Sequence, residues 1–343
     1  MRLIRIAMTK IALIYYDFSS FVRQDEEILA RHFEVTRVNY RRPTDIFKIL
    51  VSVLKCDASF SWFASGHSFV AVLFSKLLGK KSIVIAGGYD VACIPEINYG
   101  QFTLSRAKRF MTAFSLRYAD LILAVSEFTQ KEVLRWAQPK KNLVIHNGID
   151  TKRFQAEGEK EDLVITVGGV SRSNLLRKGL ETFVKSASLV PEARFVVIGK
   201  EQDDSINHLR SIASTNVSFT GFVTDQELLL WYQRARVYVQ VSAYESFGMS
   251  LAEAMLCECV PVVTERGALP EVTGGTGYYV PYGDDMATAE GIRKALRSDN
   301  GALARKRIEN NFSQKERERA LIKMVNLLCN EDSLNEKDQA SHQ

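Results

Sequence analysis

Two glutamates, Glu245 and Glu253, flank a predicted turn in the second half of the chain. Alternating apolar residues from 237 to 241 predict a buried strand before the turn, and residues 250–257 predict a helix after it. A second apolar run, 260–263, predicts the next strand. Ligands of open parallel sheets bind at the carboxyl ends of the strands, so we expect this turn to lie where a ligand can reach it.

The turn offers two kinds of contact to a ligand. Carboxylates accept hydrogen bonds from hydroxyl groups and are electrostatically favoured near a helix N-terminus, while the first backbone N–H groups of the helix can bind an anion. The residues that we expect to supply those groups are Phe247, Gly248, Met249 and Ser250. Hydroxyl acceptors beside a phosphate site are typical of nucleotide-sugar binding.

A second constellation joins glycines to fixed positive charges. Gly168 and Gly169 follow the apolar run 163–167, and Arg172 and Lys178 precede a predicted helix at 179–189. Glycines permit close backbone approach to a ligand. Arginine can bind a diphosphate with a bidentate fork and lysine as a point charge, and Arg177 is a neighbouring substitute for Arg172. A solvated basic loop is the alternative interpretation.

Strands alternate with helices along nearly the whole sequence, beginning with a strand at Lys10. This alternation predicts an α/β fold with parallel, doubly wound sheets, and a length of 343 residues favours two domains. No G-x-G-x-x-G follows the first strand, which disfavours a dinucleotide site. Neither a D-x-D motif nor a Cys/His spacing typical of metal ligands is present, so we expect no metal and no cofactor.

Composition indicates an ordinary globular protein, with 46% hydrophobic and 25% charged residues. Five scattered cysteines favour reduced thiols and a cytoplasmic setting. No apolar run reaches the roughly 20 residues that cross a bilayer, and Arg5 and Lys10 interrupt the core that a signal peptide requires. The basic residues are concentrated in residues 1–150, which hold 21 Lys and Arg against 13 Asp and Glu.

The motif Glu245-x-Phe247-Gly248-x4-Glu253-Ala254, followed by Gly267-x2-Pro270-Glu271, resembles the E-x7-E region of retaining glycosyltransferases of family 4. The segment 147–150, Asn-Gly-Ile-Asp, is similar to the element that ends the first domain in that family. The resemblance implies the GT-B fold, in which two Rossmann-like domains with doubly wound parallel sheets face each other across a cleft. It places an acceptor-side domain at 1–155, a nucleotide-sugar domain at 156–312 and a helix crossing back at 313–329, and the polar composition of 330–343 predicts a disordered tail.

The resemblance also implies a role for each site residue. Arg172 and Lys178 would bind the nucleoside diphosphate and stabilise it as it leaves, Glu245 would bind donor-sugar hydroxyls, and Glu253 would hold the ribose. Phe222 and Val223 resemble the segment that meets the base, although a phenylalanine is more often part of a core. At the position where many relatives have a cleft histidine this chain has no histidine, and nearby Asp90 either contacts the sugar or caps a turn.

The expected reaction is metal-independent, retaining transfer of a sugar from a nucleoside diphosphate sugar to a hydroxyl of a glycan or lipid-linked acceptor, with no nucleic acid as partner. A GT-B sugar-nucleotide epimerase and a non-catalytic nucleotide-sugar-binding subunit are the alternatives. The predicted helix 104–117 carries Arg106, Lys108 and Arg109 beside Phe110 and Met111. Such a helix either lies on an anionic membrane surface, which would make the protein peripheral to the membrane, or presents a solvated basic face.

Overall fold

The computed structural model describes residues 8–340, with side chains up to residue 329, and divides the chain into two compact units. The first unit comprises the chain up to Pro95, Tyr99–His146 and the chain from Lys315 onward; the second comprises Glu96–Asn98 and Asn147–Gln314. Residues 1–7 and 341–343, which belong to the predicted first domain and tail, lie outside the described residues. The predicted boundaries at 155/156 and 312/313 stay predictions.

The first unit contains a parallel six-stranded sheet with the order β2-β1-β3-β4-β5-β6. Its strands are β1 Lys10–Tyr15, β2 Glu34–Asn39, β3 Ala58–Trp62, β4 Lys81–Ala86, β5 Leu121–Ala124 and β6 Asn142–Val144. Its helices are α1 Ser20–Ala30, α2 Ile46–Lys55, α3 Gly66–Leu77, α4 Arg106–Tyr118, α5 Glu127–Trp136 and the last helix of the chain, Gln314–Ala340.

The second unit contains another parallel six-stranded sheet, with the order β12-β11-β10-β7-β8-β9. Its strands are β7 Glu161–Val167, β8 Arg194–Ile198, β9 Val217–Phe219, β10 Ala235–Gln240, β11 Val260–Thr264 and β12 Tyr278–Val280. Its helices are α6 Arg172–Arg177, α7 Leu180–Ala187, α8 Ser205–Ile212, α9 Asp225–Arg234, α10 Met249–Leu256, α11 Leu269–Thr273, α12 Asp285–Leu296 and α13 Gly301–Asn311; the helix Gln314–Ala340 is therefore α14.

Both sheets are buried on two faces, which explains the composition of their strands. The central strands β1 and β10 are almost entirely buried and rich in Ile, Val and Leu, as parallel strands covered by helices on both sides require. A large apolar cluster packs on the sheet of the second unit, and smaller apolar clusters pack on the sheet of the first unit. The predicted α/β class with two doubly wound parallel sheets is confirmed.

Each sheet has one topological switch point, where successive connections leave in opposite directions. In the first sheet it lies between β1 and β3, and in the second it lies between β7 and β10. A crevice opens outside the carboxyl ends of the strands at such a point, and this crevice is the usual ligand site of open α/β sheets. The topology therefore marks one candidate binding position in each unit.

The structure contains two short helices that were not predicted, α6 from Arg172 to Arg177 and α11 from Leu269 to Thr273. The backbone of α14 continues to Ala340, past residue 329, where the crossing helix was predicted to end. A buried ion pair joins the start of α14 to α1. The Arg317 guanidinium donates to both carboxylate oxygens of Asp25, at 2.6 and 2.7 Å.

Candidate active site

The candidate site lies at the switch point of the second sheet. Val167 ends β7 and is followed by the two glycines 168 and 169, whereas Gln240 ends β10 and leads into the turn that carries Glu245. The carboxyl ends of adjacent parallel strands point to the same edge, so both predicted constellations reach one crevice.

An ion pair between Lys178 and Glu245 joins the two constellations. Lys178 Nζ donates to Glu245 Oε2 at 2.7 Å, and the two side chains are only 16% and 13% exposed. Gln240, which is buried, donates from Nε2 to the same oxygen at 2.7 Å. Both donors use Oε2, and within the described part of the chain no hydrogen bond reaches Oε1, which is left for a ligand.

The charge state of Glu245 follows from its neighbours. Burial alone raises the pKa of this carboxyl group, but the positive charges of Lys178 and Arg177, together with the hydrogen bonds from Lys178 and Gln240, outweigh burial and leave the pKa below its ordinary value. Glu245 is therefore an ionised carboxylate in a largely dehydrated place. Such a group accepts strong hydrogen bonds from hydroxyl groups.

Two glycines allow the loops to approach closely enough to form this pair. Gly179 has φ +67°, and a Cβ there would overlap the carbonyl oxygen of Val241 at the end of β10. Gly267 has φ +63°, and a Cβ there would overlap the carbonyl oxygen of Glu245, which also accepts a hydrogen bond from the Ala268 N–H at 2.8 Å. Any other residue would need both a rare backbone conformation and space that is already filled.

The structure distinguishes the two candidate arginines. Arg172 lies exposed in the first turn of α6, where its backbone N–H donates to Asp203 at 2.9 Å. The Arg177 guanidinium donates to Asn174 Oδ1 at 3.1 and 2.7 Å, and its charge acts on Glu245. The structure thus brings Arg177 together with the ion pair, and it leaves Arg172 at the outer end of the short helix.

The glycine loop is fixed by the neighbouring strand and by α6. The Gly168 N–H donates to Ile198 O at 2.9 Å, and the Gly169 carbonyl oxygen accepts from Asn174 Nδ2 at 2.8 Å. A Cβ at 169 would lie 2.6 Å from Gln202 Nε2, so a larger residue there would displace the end of the Gln202 side chain. The loop is a rigid edge of the crevice.

Glu253 lies in α10 and differs electrically from Glu245. The Tyr232 hydroxyl donates to Glu253 Oε2 at 3.0 Å. Burial raises the pKa of Glu253 to about 7, because the loss of hydration outweighs the hydrogen bond from Tyr232 and the positive charge of Arg153, which both lower it. The two glutamates of the motif therefore have opposite shifts, one held ionised and the other close to half protonated near neutral pH.

The turn before α10 is built around backbone groups. Gly248, with φ +98°, is the N-cap of α10 and, as a glycine, has no side chain with which to cap this helix. Met249 and Ser250 form its first turn and are half-buried. The Phe247 side chain instead packs in the interior, edge-on against Phe312 with 5.5 Å between ring centroids. A contact of Phe247 with a ligand is therefore limited to its backbone.

The segment Gly221–Val223 follows β9 at the same edge of the sheet. The Gly199 N–H donates to Gly221 O at 3.1 Å, which ties the segment to the end of β8. Phe222 is 75% exposed, so the interpretation of this ring as core is wrong. An exposed aromatic ring can stack on a planar ligand, and Val223 beside it is half-buried.

Asp90 lies in the first unit and is completely buried. Its carboxylate accepts hydrogen bonds from the backbone N–H groups of Ala64, Gly87 and Gly88 at 2.8, 3.1 and 2.8 Å. Burial raises the pKa of Asp90 to about 6, against the opposing effect of those bonds. This geometry is that of a residue that holds the loops after β3 and β4, which is the capping role.

Two buried residues of the site were not predicted. Gln240 orients Glu245, and Tyr232 donates to Glu253. Gln240 has a signal in the sequence, because a glutamine that ends an apolar alternating strand needs a polar partner. Tyr232 has none, since an aromatic residue in an amphipathic helix is ordinarily core.

Comparisons with known proteins show what this arrangement belongs to. The family model described as Glycosyltransferase Family 4 matches residues 59–153, and the model described as Glycosyl transferases group 1 matches residues 161–298. The chain carries two glycosyltransferase domains, one of the family 4 type and one of the group 1 type. The family 4 match lies mainly in the first unit, and the group 1 match lies in the second unit and includes the Lys178–Glu245 pair.

Curated relatives agree with the family. The chain is 29% identical over 232 residues to the capsular polysaccharide biosynthesis glycosyltransferase CapM of Staphylococcus aureus, which is 59% of this chain and 60% of CapM. It is 28% identical over 250 residues to the lipopolysaccharide core biosynthesis mannosyltransferase LpcC of Rhizobium leguminosarum bv. viciae, which is 64% of this chain and 69% of LpcC. The matched region thus spans about three fifths of the length of CapM.

Solved structures agree on the fold. The structure of Anabaena HepE in complex with UDP and glucose superposes with a TM-score of 0.76 at 16% identity and covers 93% of this chain and all of that one. At this identity the likeness shows the fold alone, and the fold is GT-B.

Three further observations concern metal ions, thiols and membrane spans. Over residues 8–329, no group of three or more His, Cys, Asp and Glu side chains is arranged to hold a metal ion. The thiols of Cys56, Cys93, Cys257 and Cys259 are reduced. Among the helices that the structure describes, none combines the length and the apolar character needed to cross a bilayer.

Proposed function

We propose that this chain is a retaining glycosyltransferase that moves a sugar from a nucleoside diphosphate sugar to a hydroxyl group of a glycan or lipid-linked acceptor, without a bound metal ion. The observation that carries the proposal is the dehydrated Lys178–Glu245 pair at the switch point of the second sheet. One member can meet a phosphate and the other a sugar hydroxyl. The two halves of a nucleotide sugar require these two partners.

Lys178 supplies charge where the leaving group forms. When the bond between the anomeric carbon and the diphosphate breaks, the electron pair goes to the diphosphate oxygen, which gains negative charge. A cation held in place before the reaction stabilises that charge without reorganisation, and it does so more strongly where water is excluded. Arg177 adds a second charge beside the pair, and Arg172 can reach the outer phosphate from the start of α6.

Glu245 positions the donor sugar. Its ionised carboxylate is held through Oε2 by Lys178 and Gln240, and Oε1 can accept a hydrogen bond from a sugar hydroxyl. Glu253, on the following helix, would accept from the ribose, and the exposed ring of Phe222 would stack on the base. The backbone N–H groups at the start of α10, with the positive end of the helix dipole, favour a phosphate bound there.

The relatives support the choice of donor and acceptor. HepE was crystallised with UDP and glucose, which supports a nucleoside diphosphate sugar as donor. CapM and LpcC are named for capsular polysaccharide and lipopolysaccharide core biosynthesis, which supports a glycan or lipid-linked acceptor. Metal independence rests on the positive charges of Lys178 and Arg177, which would supply the charge that other transferases obtain from Mg²⁺.

The test is turnover of a Lys178→Ala variant with a donor found by screening UDP, GDP and ADP sugars. Removing one preorganised charge at a developing anion typically costs about a hundredfold or more in rate. The matched control is Lys185→Ala, which removes an exposed lysine paired with Glu181 on α7. A chain that turns over its donor equally well without Lys178 would refute the proposal.

Two further measurements separate the proposed reaction from its rivals. Product analysis after incubation with donor but no acceptor would reveal an isomerised nucleotide sugar if the chain were an epimerase, and nucleotide-sugar binding without turnover would indicate a binding subunit. Retention is checked by the anomeric configuration of the product. Activity that survives a chelator supports metal independence, and its loss would contradict it.

The proposal includes weak contact of the first unit with an anionic membrane surface. Helix α4 exposes Phe110 beside three exposed basic residues, Arg106, Lys108 and Arg109. A basic helix with exposed apolar side chains can lie on anionic lipid, with about 1 kcal/mol contributed by each basic residue near the surface. This contact would bring the site to a lipid-linked acceptor.

Vesicle co-sedimentation at low and high salt tests this contact. We expect the native chain to pellet with anionic vesicles at low salt only, and a variant neutralised at all three basic residues of α4 to remain in the supernatant. The matched control neutralises Lys131, Lys140 and Lys141, which are exposed on the same unit. Equal pelleting of the two variants would show that α4 does not make the contact.

A further inference from the structure

Tyr282 lies two residues after β12, an edge strand of the second sheet, and its side chain contacts the end of α6. The Tyr282 hydroxyl donates to Leu176 O at 2.8 Å. The Gly179 N–H donates to the same oxygen at 3.1 Å, so a carbonyl group at the end of this short helix has two partners. A loop at the edge of the sheet therefore holds the helix that leads directly to Lys178.

The next carbonyl group along the chain, that of Arg177, is held by another loop. It accepts a hydrogen bond from the Ala243 N–H, in the turn after β10, at 2.8 Å. The two peptide groups before Lys178 are thus fixed by the loop after β12 and by the turn after β10. The backbone position of Lys178 therefore depends on both contacts.

Arg266, in the loop after β11, packs on the ring of Tyr282. The guanidinium carbon lies 4.6 Å from the ring centroid, which is the geometry of a cation–π contact. Burial raises the pKa of the Tyr282 hydroxyl although the charge of Arg266 lowers it, so this hydroxyl stays protonated and able to donate near neutral pH. Arg266 thereby fixes the plane of a ring whose hydroxyl holds α6.

The loop that carries Arg266 also holds the backbone of Glu245. Two residues after the arginine, the Ala268 N–H donates to the carbonyl oxygen of Glu245 at 2.8 Å. A continuous set of contacts thus runs from α6 through Tyr282 and Arg266 to the turn after β10. The ion pair of Lys178 with Glu245 closes this set into a ring, so the two members of the pair are connected both through their side chains and through the loops that carry them.

We propose that Tyr282 and Arg266 are positioning residues of the transfer reaction, which set the place of the Lys178–Glu245 pair through the backbone and without contacting the donor. A charge stabilises a leaving diphosphate best where it is held in place before the bond breaks, and a displacement of about 1 Å near the reacting atoms can cost about a hundredfold in rate. The proposal rests on the proposed transferase function and adds the loops after β11 and β12 to the parts of the chain on which the donor site depends.

Amide hydrogen exchange of the full chain tests the contacts without any donor. Tyr282→Phe removes the hydroxyl and keeps the ring, and residues 241–245 should then exchange about three- to tenfold faster, because the end of α6 has lost one of its anchors. The matched control is Tyr279→Phe. Tyr279 is also half-buried, and its hydroxyl oxygen accepts a hydrogen bond from the Gly275 N–H at 3.1 Å, in the segment before β12. This control should leave exchange at 241–245 unchanged.

Steady-state kinetics of the same variants test the role in the reaction. Tyr282→Phe should lower kcat about three- to tenfold and change the KM for the donor by less than about twofold, because the lost bond acts on the charge that meets the leaving group. Arg266→Met should also lower kcat, and Arg266→Lys, which keeps a cation over the ring, should restore most of that loss. The double variant Tyr282→Phe with Arg266→Met should lose less than the product of the two single losses, since both act through one ring of contacts. Melting curves establish that every variant folds, and Tyr279→Phe should keep its kcat.

The outcomes distinguish this inference from the proposed function. If Tyr282→Phe and Tyr279→Phe have equal kcat, or if exchange at 241–245 does not change in Tyr282→Phe, the inference is overturned while turnover can still depend on Lys178. A higher donor KM with unchanged kcat in Tyr282→Phe would mean that Tyr282 contacts the donor, which also overturns the positioning role. Turnover that survives in Lys178→Ala refutes the proposed function and with it any role of Tyr282 in transfer, whatever the exchange shows.

Discussion

Replacing Gln240 by leucine tests whether the donor site depends on how Glu245 is oriented. The Gln240 side chain is buried and donates from Nε2 to Glu245 Oε2 at 2.7 Å. Leucine has a similar size and removes only the polar contacts, of which the bond to the carboxylate is the short one. Lys178 still pairs with Glu245, so the carboxylate remains in the site but loses one of its two fixed partners.

The magnitude follows from the kind of bond that is lost. A hydrogen bond to a charged group contributes about 1.5–3 kcal/mol. Each 1.36 kcal/mol corresponds to a factor of ten in rate, so kcat/KM for the donor sugar should fall by roughly 10- to 150-fold. Glu245 is proposed to contact the sugar and not the diphosphate, so affinity for the free nucleoside diphosphate should change by less than about threefold.

The assay combines steady-state kinetics with calorimetric binding of the nucleoside diphosphate. Gln233→Leu is the matched control, because Gln233 is also buried in the second unit and donates to the backbone oxygen of Gln155 at 3.2 Å, away from Glu245. Equal losses in the two leucine variants would mean that a buried hydrogen bond matters only for stability. An equal loss of sugar-nucleotide and free-nucleotide affinity in Gln240→Leu would refute the role of Glu245 at the sugar.

Three other predictions concern Glu253, Gly267 and the ion pair of Asp25 with Arg317. Because burial raises the pKa of Glu253 to about 7, the fraction of ionised Glu253 carboxylate increases as pH rises through 7. Donor affinity measured from pH 6 to 8.5 should increase with this fraction, and Glu253→Gln should abolish the pH dependence. Gly267→Ala should lower activity at least tenfold, whereas Gly275→Ala, which has φ +80° in open space, should lower only the melting temperature. Asp25→Asn should cost about 3–5 kcal/mol in urea unfolding, because it leaves the buried Arg317 charge without its partner.

The sign of the Glu253 effect on stability can be checked independently. The pKa of this carboxyl group is higher in the folded protein than its ordinary value of 4.5, so the folded state binds the proton more strongly. The unfolding free energy should therefore decrease as pH rises from about 4.5 to 7, and it should do so less in Glu253→Gln. A steeper decrease in the variant would contradict the assignment of this shift to Glu253.

The fold class was predictable because the pattern of apolar residues that indicates strands and helices is local and is repeated along the chain. Runs such as 11–15 and 260–264 are apolar over the length of a buried strand, and helical spacing separates them, so the α/β class follows from periodicity alone. The short helices α6 and α11 escaped prediction because five or six residues do not complete two helical turns and give no period. The order of the strands is set by long-range pairing, which a linear pattern does not encode.

The site was predictable only as far as its residues lie within motifs. Sequence spacing separates Lys178 from Glu245 by 67 residues, and only the resemblance to a family indicated that both would meet the same ligand. The spacing also favoured Arg172 over Arg177. That choice did not take account of helix α6, which spans both arginines and leaves Arg172 exposed at its start. The alternative interpretation of Phe222 as core failed because a short strand end exposes a ring that apolar character alone would bury.

One residue of the motif shows how a single segment can serve both chemistry and architecture. Phe247 lies two residues after Glu245, yet its side chain packs edge-on against Phe312, and the carbonyl oxygen of Phe312 accepts a hydrogen bond from the Ile149 N–H at 2.8 Å. Residue 149 comes just after the chain enters the second unit at Asn147, and residue 312 comes just before the chain leaves it at Gln314. The turn that carries Glu245 is thus anchored on the paired connecting segments, so the phenylalanine is required by packing while the glutamate is required by the ligand.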